Sequence, residues 1–383
     1  MDENENARSK NLLRKLWLPT LVVVIVGYVG HTYKHYFIGT PAYKLSEEDV
    51  KLLKKALLEQ AVIKHDEICS ETTNSCYTMT DYVFLEGEEF TVMRMMVLNN
   101  AKPFSYSQTE VMLPKDMTID KVNTRKWPVN KRKLASVYTK MMAGMGFVME
   151  ALSFEPKSMQ QMLMIGLGGG VINNFLSTLG PETMINLTTV ELDPEVFSLA
   201  LDWFHLVETP TNRVVVGDGI EFIREASAKD DKYKVILIDA CYDDFRPVFC
   251  PVEGFINPET IKDIANILDD DGILSVNVLT SSKEKGDGAK NILALYEKHF
   301  TSCFYTYITH PNKKVAAQQQ LLFCTHRKNW SYQVPIRQTR KAYYMLLMFY
   351  ILLPVLPSEF SKLLLHSTEY GQSSKCICFL KAL

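Results

Sequence analysis

Glycines and carboxylates stand where predicted strands end, between residues 161 and 239. The run Gly166-Leu167-Gly168-Gly169-Gly170 follows the apolar sequence MLMI and precedes a helix-length segment. Glycine lets a backbone turn sharply and approach a ligand closely, and helix amides behind such a turn attract negative charge. The motif is weak evidence alone, so its meaning depends on the neighbouring strand ends.

Acidic residues occupy the next three strand ends. Glu191 ends LTTVE and can accept hydrogen bonds from both hydroxyls of a ribose. Asp218, followed by Gly219, ends VVVGD and can accept a bond from an adenine amino group, and Asp239 ends VILID. Because carboxyl ends of parallel strands share one sheet edge, these residues should line one ligand site. The alternative is that each acid only caps the following helix, but four consecutive strand ends argue against it.

Strand-like and helix-like segments alternate through residues 161–325. Seven short apolar runs are predicted as strands, and helix-length segments lie between most of them: 171–179, 194–206, 219–228, 257–268 and 286–299. Such alternation is typical of a doubly wound α/β sheet. Only a turn separates the last two strands, so the sequence predicts the Rossmann-like class I methyltransferase arrangement. In that fold a terminal antiparallel strand completes the sheet. A small β-rich domain, predicted from alternating runs between 66 and 113, precedes it.

Taken together, the motifs resemble the spermidine synthase superfamily of class I S-adenosylmethionine-dependent methyltransferases. The resemblance covers roughly 66–325 and includes YSQTE, KMMAGM, CPVEGF and QLLFC. Within the superfamily, the chain is most similar to the C-terminal half of the methyltransferase-like proteins that methylate translation elongation factor 1-alpha. The resemblance implies that S-adenosylmethionine is the cofactor.

The resemblance also implies which residues contact the cofactor. The glycines of the loop would hold its methionine part, Glu191 its ribose, and Asp218 with Gly219 its adenine. Gln108, in YSQTE, would meet the cofactor from the N-terminal domain. The full implied set lies at strand ends or on that domain: Gln108, Gly166, Gly168, Gly170, Glu191, Asp218, Gly219 and Asp239.

Asp239 corresponds in the resemblance to the acid that accepts a proton from an attacking amine, so it is predicted to be catalytic as well. The following residues differ from the run found in spermidine synthases. Here Tyr242 could orient the amine, and Asp243 or Asp244 could share the proton-accepting role. The predicted catalytic residues are therefore Asp239, Tyr242 and Asp243.

A second departure concerns the donor. Spermidine synthases carry an aspartate inside the glycine loop, suited to the free amine of a decarboxylated cofactor, and Gly169 takes that position here. Ordinary S-adenosylmethionine is thereby favoured. The sequence also has too few suitably placed acids to pair both charges of a small diamine. We predict a methyltransferase acting on an amine of a protein or small molecule. An aminopropyltransferase and a non-catalytic binding protein that retains the fold are the alternatives.

An uncharged run precedes these domains. Residues 16–33 contain no Asp, Glu, Lys or Arg and just reach the roughly 17–25 residues that a membrane-spanning helix needs. Basic residues lie upstream, so we predict a single-pass membrane protein with an N-terminal anchor. A cleaved signal peptide and a buried helix are the alternatives, and the orientation is left open. The apolar segment 342–358 is expected either to touch the membrane or to pack on the domain.

The chain is expected to comprise a tail, an anchor, a small β-rich domain, a linker with a helix, an S-adenosylmethionine-binding catalytic domain and an extension. Their predicted bounds are, in order, 1–15, 16–33, 44–115, 116–152, 153–330 and 331–383.

The composition of the 383 residues fits one large domain with appendages. A net charge of -2 gives no sign of a nucleic-acid partner, and the scattered histidines predict no metal site. Cys69 and Cys76 flank the turn-like SETTNS and could bond across a hairpin in an oxidising compartment. Self-association into a homodimer is left open.

Overall fold

The computed structural model describes residues 44–87, 89–99, 105–244, 246–281, 288–308 and 317–328. By its contacts the chain divides into two units. The first joins the described residues up to Leu57 with Leu113–Trp127, and the second holds Leu58–Met112 together with the chain from Pro128 onward.

The first unit is built around the start of helix α1 (Glu47–Gln60). The hydroxyl of Ser46 accepts a bond from the amide of Asp49 at 3.1 Å, and the Asp49 carboxylate accepts one from the Ser46 amide at 3.1 Å. This reciprocal pair is a capping box, which satisfies amides at the start of the helix. The other segment of the unit contains Trp127, which is fully buried and donates its indole N–H to the Lys121 carbonyl at 2.7 Å.

The second unit begins with an antiparallel sheet of four strands in the order β1-β2-β3-β4: Val62–Cys69, Cys76–Glu86, Glu89–Leu98 and Ser105–Val111. The small β-rich domain that the sequence predicted between 66 and 113 corresponds to this sheet, although β1 starts earlier than that range, at Val62. Cys69 and Cys76 face each other across the first hairpin and form the anticipated disulfide.

The main sheet contains eight strands: β5 (Gln160–Ile165), β6 (Ile185–Glu191), β7 (Asn212–Val216), β8 (Tyr233–Ile238), β9 (Val248–Cys250), β10 (Leu268–Ser281), β11 (Ser302–Tyr307) and β12 (Ala317–Thr325). Their order is β11-β12-β10-β8-β5-β6-β7, and β9 pairs with β10. Strands β5 to β8 and β10 are parallel, whereas β12 runs antiparallel between β10 and β11. The predicted fold is confirmed. Strand β9 was missed because three residues carry no periodic signal.

The described part of the second unit contains six α-helices, in chain order α2 (Val137–Val148), α3 (Val171–Ser177), α4 (Pro194–Phe204), α5 (Gly219–Ala228), α6 (Pro258–Ile267) and α7 (Gly288–Tyr296). Alternate residues of β5 point to opposite faces of the sheet. Leu163 and Ile165 pack in a core cluster with α5, α6 and α7, whereas Met162 and Met164 pack in another with α2 and α3. The sheet is therefore covered on both faces, as a doubly wound fold requires.

Two further disulfides join Cys241 to Cys250 and Cys303 to Cys324. The second links directly opposed residues of β11 and β12. These pairings were not predicted, because they depend on sheet register and loop path.

No helix in the described part of the chain is long and apolar enough to cross a membrane. This finding contradicts the prediction of a single-pass membrane protein, which is corrected here. The two segments behind that prediction, 16–33 and 342–358, lie outside the described residues. The run 16–33 is near the lower length limit and contains Pro19 and Gly27, so its lack of charge was an insufficient criterion.

Candidate functional site

The glycine loop connects β5 to α3 at the carboxyl edge of the main sheet. Gly166 has φ +88°, and a Cβ there would collide with the backbone oxygen of Asp239. Only glycine therefore lets the loop turn against the end of β8. Strand β4 approaches the same loop, since a Cβ on Gly168 would lie 3.5 Å from the Ser107 hydroxyl. The glycine loop, the end of β8 and strand β4 therefore lie next to one another at this edge of the sheet.

Glu191 fastens this loop from the end of β6. Its side chain is buried, and its two oxygens accept bonds from the amides of Leu167 at 2.8 Å and Asp193 at 2.9 Å. Burial raises the pKa of Glu191, and these amide bonds oppose the rise. The carboxylate that the sequence assigned to a ribose therefore also orders the glycine loop. The Gly168 amide also bonds to this carboxylate, so three of its roughly four acceptor positions are used and one remains for a ligand hydroxyl.

Asp193 is a buried residue whose part in the site the sequence did not reveal. Its carboxylate accepts hydrogen bonds from the hydroxyls of Ser70 at 2.8 Å, Thr73 at 2.9 Å and Tyr77 at 3.2 Å. It also caps α4. The first hairpin of the small sheet is thereby held next to Glu191. The Asp-Pro pair is typical of a helix N-cap, but no nearby residue indicates that Asp193 would bind hydroxyls of the first hairpin.

Asp218 lies at the end of β7, on the same edge. Its side chain is exposed and caps α5 by accepting a bond from the Ile220 amide at 2.8 Å. The capping alternative is therefore realised at this position, although the exposed carboxylate also leaves an oxygen for a ligand. Leu192 and Val216 are exposed apolar side chains next to the predicted ribose and adenine acids. They give this edge a surface suited to a flat ring.

Asp239 is half-buried directly after β8. Its Oδ1 accepts a bond from the Asn277 side-chain amide at 2.8 Å, and the Tyr138 hydroxyl also bonds to the carboxylate. Burial raises the pKa of Asp239 to about 6, and the bonds from Asn277 and Tyr138 oppose that rise. A carboxylate with such a pKa is well matched to accept a proton near neutral pH.

Tyr106 and Gln108 approach from β4, and both are half-buried. Burial raises the pKa of Tyr106 well above its ordinary value, and the negative charges of Glu191 and Asp239 add to the rise. Its ring lies 5.4 Å from that of Tyr77. Tyr106 thus belongs to the same site as the two acids, although the sequence singled out only Gln108 in this strand.

Tyr242 and Asp243, the other predicted catalytic residues, lie in the loop closed by the Cys241–Cys250 disulfide. The Tyr242 hydroxyl accepts a bond from the Glu253 amide at 3.1 Å, and the Arg246 guanidinium lies 3.7 Å from its ring centroid. Asp243 accepts a hydrogen bond from the Ser75 hydroxyl. These contacts hold the loop in place and occupy the side chains of Tyr242 and Asp243. Asp244 is exposed and pairs with Arg246.

Comparisons with known proteins agree with this architecture. A family model for the spermine/spermidine synthase domain matches residues 135–334. A polyamine aminopropyltransferase of Vibrio vulnificus is 33% identical over 132 residues, which cover 34% of this chain and 42% of the relative. An eEF1A lysine and N-terminal methyltransferase homolog of Drosophila pseudoobscura is 30% identical over 121 residues, covering 31% of this chain and 18% of the relative.

A solved structure, a probable spermidine synthase from Corynebacterium glutamicum, shares the fold. It is 15% identical, with a TM-score of 0.50, and the match covers 71% of this chain and 84% of that one. The two relatives are both transferases by name, in agreement with the predicted enzyme class, but this chain spans less than half of either. The predictions of fold and superfamily are confirmed. Because the matching model covers more than half of the 383 residues, the chain belongs to the spermine/spermidine synthase domain family.

Proposed function

We propose that the protein is an S-adenosylmethionine-dependent methyltransferase whose acceptor is an amine of a protein or small molecule. Family membership alone does not choose the transferred group, since its relatives include both an aminopropyltransferase and eEF1A methyltransferases. The packing around Gly169 is the observation that favours methyl transfer over aminopropyl transfer.

The residues at the carboxyl edge fit the proposed cofactor. The four glycines of the loop carry no Cβ, and the Glu191 carboxylate lies beside the loop. Glu191 would hold the ribose hydroxyls, and Asp218 with Gly219 would hold the adenine. The remaining contacts would come from the loop and the adjoining strands: Gln108, Gly166, Gly168, Gly170 and Asp239. A bound S-adenosylmethionine supplies an electrophilic methyl group on its sulfonium.

Gly169 argues for methyl over aminopropyl transfer. A Cβ at this position would lie 2.6 Å from the Phe204 ring, and Phe204 is fully buried at the end of α4. The aspartate that spermidine synthases place here therefore has no room. Without it, the ammonium of a decarboxylated donor would be buried unpaired, at a cost of several kcal/mol. The normal donor brings its own carboxylate, which the loop amides can hold.

The chain's own residues would then align the acceptor and take its proton. An amine nucleophile must lose a proton to attack, and Asp239 is placed to accept it. Tyr138 and Asn277 both bond to that carboxylate. The small sheet, held by Asp193 beside the loop, would keep water from the reacting atoms.

The aminopropyltransferase alternative keeps one observation in its favour, the 33% identical relative of that name. Two titrations distinguish the readings. We expect the full chain to bind S-adenosylmethionine at least as tightly as its decarboxylated form, measured by calorimetry. Clear preference for the decarboxylated donor would overturn the methyltransferase reading.

Transfer itself is tested with the acceptor that the relatives suggest. Purified eEF1A and labelled S-adenosylmethionine should yield labelled protein, whereas putrescine with decarboxylated donor should yield no spermidine. Formation of spermidine would instead support the aminopropyltransferase.

A further inference from the structure

Three polar side chains lie in a row across the adjacent strands β8, β10 and β12 of the main sheet. Asp239 follows β8, Asn277 lies in β10 and Gln319 lies in β12, and these three strands are neighbours. The parallel pairing places Val276 opposite Ile238, so the next residues, Asn277 and Asp239, lie side by side. The reaction proposed above uses only the first of the three.

These side chains form a connected series of hydrogen bonds. The Gln319 amide nitrogen donates to the Asn277 Oδ1 at 3.3 Å. The Asn277 Nδ2 donates to the Asp239 Oδ1 at 2.8 Å and lies 3.8 Å from the sulfur of Cys241. Asn277 is only 3% exposed, so its amide cannot exchange these partners for water.

The series has a direction. A side-chain amide has an acceptor end and a donor end, and Gln319 occupies the acceptor end of Asn277. The donor end must then face Asp239. A carboxylate that accepts such a bond is stabilised in its charged form, which is the form that takes up a proton.

We infer that Asn277 and Gln319 are positioning residues that hold the Asp239 carboxylate in one orientation and favour its ionised state. This inference rests on the proposed function of Asp239. Asn277 acts directly on the carboxylate, and Gln319 acts through Asn277. An apolar residue at position 277 would remove the donor to Oδ1 and leave the Tyr138 bond as the remaining restraint among the contacts described above.

Other groups facing Asp239 must be held constant in a test. Tyr138 reaches it from α2, and Tyr106 approaches from β4. Cys241 is bonded to Cys250 and does not titrate. Neither tyrosine is altered by substitutions at Asn277 or Gln319.

The first test is the dependence of the single-turnover methyl-transfer rate on pH. Asn277→Leu removes a donor to the charged form of Asp239. The acidic limb of the pH–rate profile should therefore shift to higher pH by about one unit. Gln319→Leu should move it in the same direction by less. Thr325→Val is the matched control, because it removes a buried bond to Gly272 at 2.7 Å between the same two strands, β10 and β12. Its limb should not move. An unmoved limb in Asn277→Leu would contradict the inference.

A second measurement does not need activity. Burial raises the pKa of Asp239 to about 6 in the folded chain, above its unfolded value of about 4. The stability that its protonation contributes is present at low pH and is lost as pH rises through that window. In Asn277→Leu the loss of stability should extend to a pH about one unit higher. When Asp239→Asn is also present, Asn277→Leu should no longer change the pH dependence of stability. Denaturant unfolding at several pH values measures both.

The two proposals can therefore fail separately. A shifted stability profile with no methyl transfer to any acceptor would overturn the proposed function and uphold the positioning role. Active enzyme with unchanged pH profiles in both measurements would overturn the positioning role alone.

Discussion

Asp239→Asn should lower the rate of methyl transfer by about 10²–10⁴-fold, the usual contribution of a general base. Asparagine has nearly the same shape, its oxygen can still accept the bond from Asn277, and its NH2 group can donate to a tyrosine hydroxyl, so the local structure should survive. Cofactor affinity should fall much less than the rate, because Asp239 is only one of the proposed cofactor contacts and Glu191 and the loop are untouched. Single-turnover measurements at saturating S-adenosylmethionine separate the rate from binding.

The matched control is Asp263→Asn. Asp263 is a half-buried carboxylate on α6 that accepts a bond from the Ser227 hydroxyl at 2.9 Å. It is not one of the predicted site residues. Its substitution should leave the rate within about twofold. A similar, near-normal rate in Asp239→Asn would mean that another group takes the proton.

Arg94→Leu should destabilise the protein by about 3–5 kcal/mol, since it leaves a buried charge without its main partner. Arg94 and Asp81 are both fully buried, and the guanidinium donates to the two Asp81 oxygens at 2.9 and 3.1 Å. It also donates to the Trp203 carbonyl at 3.0 Å, next to the Phe204 that backs Gly169. Urea unfolding of wild type and variant measures the difference.

The double variant Arg94→Leu/Asp81→Leu provides the comparison. Removing both charges avoids the unpaired carboxylate, so much of the lost stability should return. The double variant also removes the bond between His65 and Asp81 at 2.9 Å, so the recovery should be incomplete. A loss below about 1 kcal/mol in the single variant would show that the pair matters little.

The fold was predictable because its signals are local. Apolar runs separated by helix-length segments showed the alternation of strands and helices. A glycine or an acid follows each of the runs that end at the proposed ligand site. Those features need only neighbours in sequence. Strand β9 has only three residues and was too short to show them.

The parts of the site that stayed hidden depend on distant residues. Ser70 and Asp193 are 123 positions apart, and Asn277 and Gln319 are 42 apart. Their contacts follow from strand order and register, which no local pattern encodes. The same is true of Phe204, whose place in an amphipathic helix gave no sign that its ring would fill the space behind Gly169.

Calorimetric titration of wild type, Glu191→Ala and Asp218→Ala with S-adenosylmethionine tests the central claim most directly. Each acid should supply a hydrogen bond from a charged group to the ligand, worth about 1.5–3 kcal/mol. We expect saturable binding by wild type and an affinity about 10–150-fold weaker in each variant, with unfolding transitions that confirm a folded chain. No binding by wild type, or equal affinity in all three proteins, would contradict a cofactor site at this edge of the sheet.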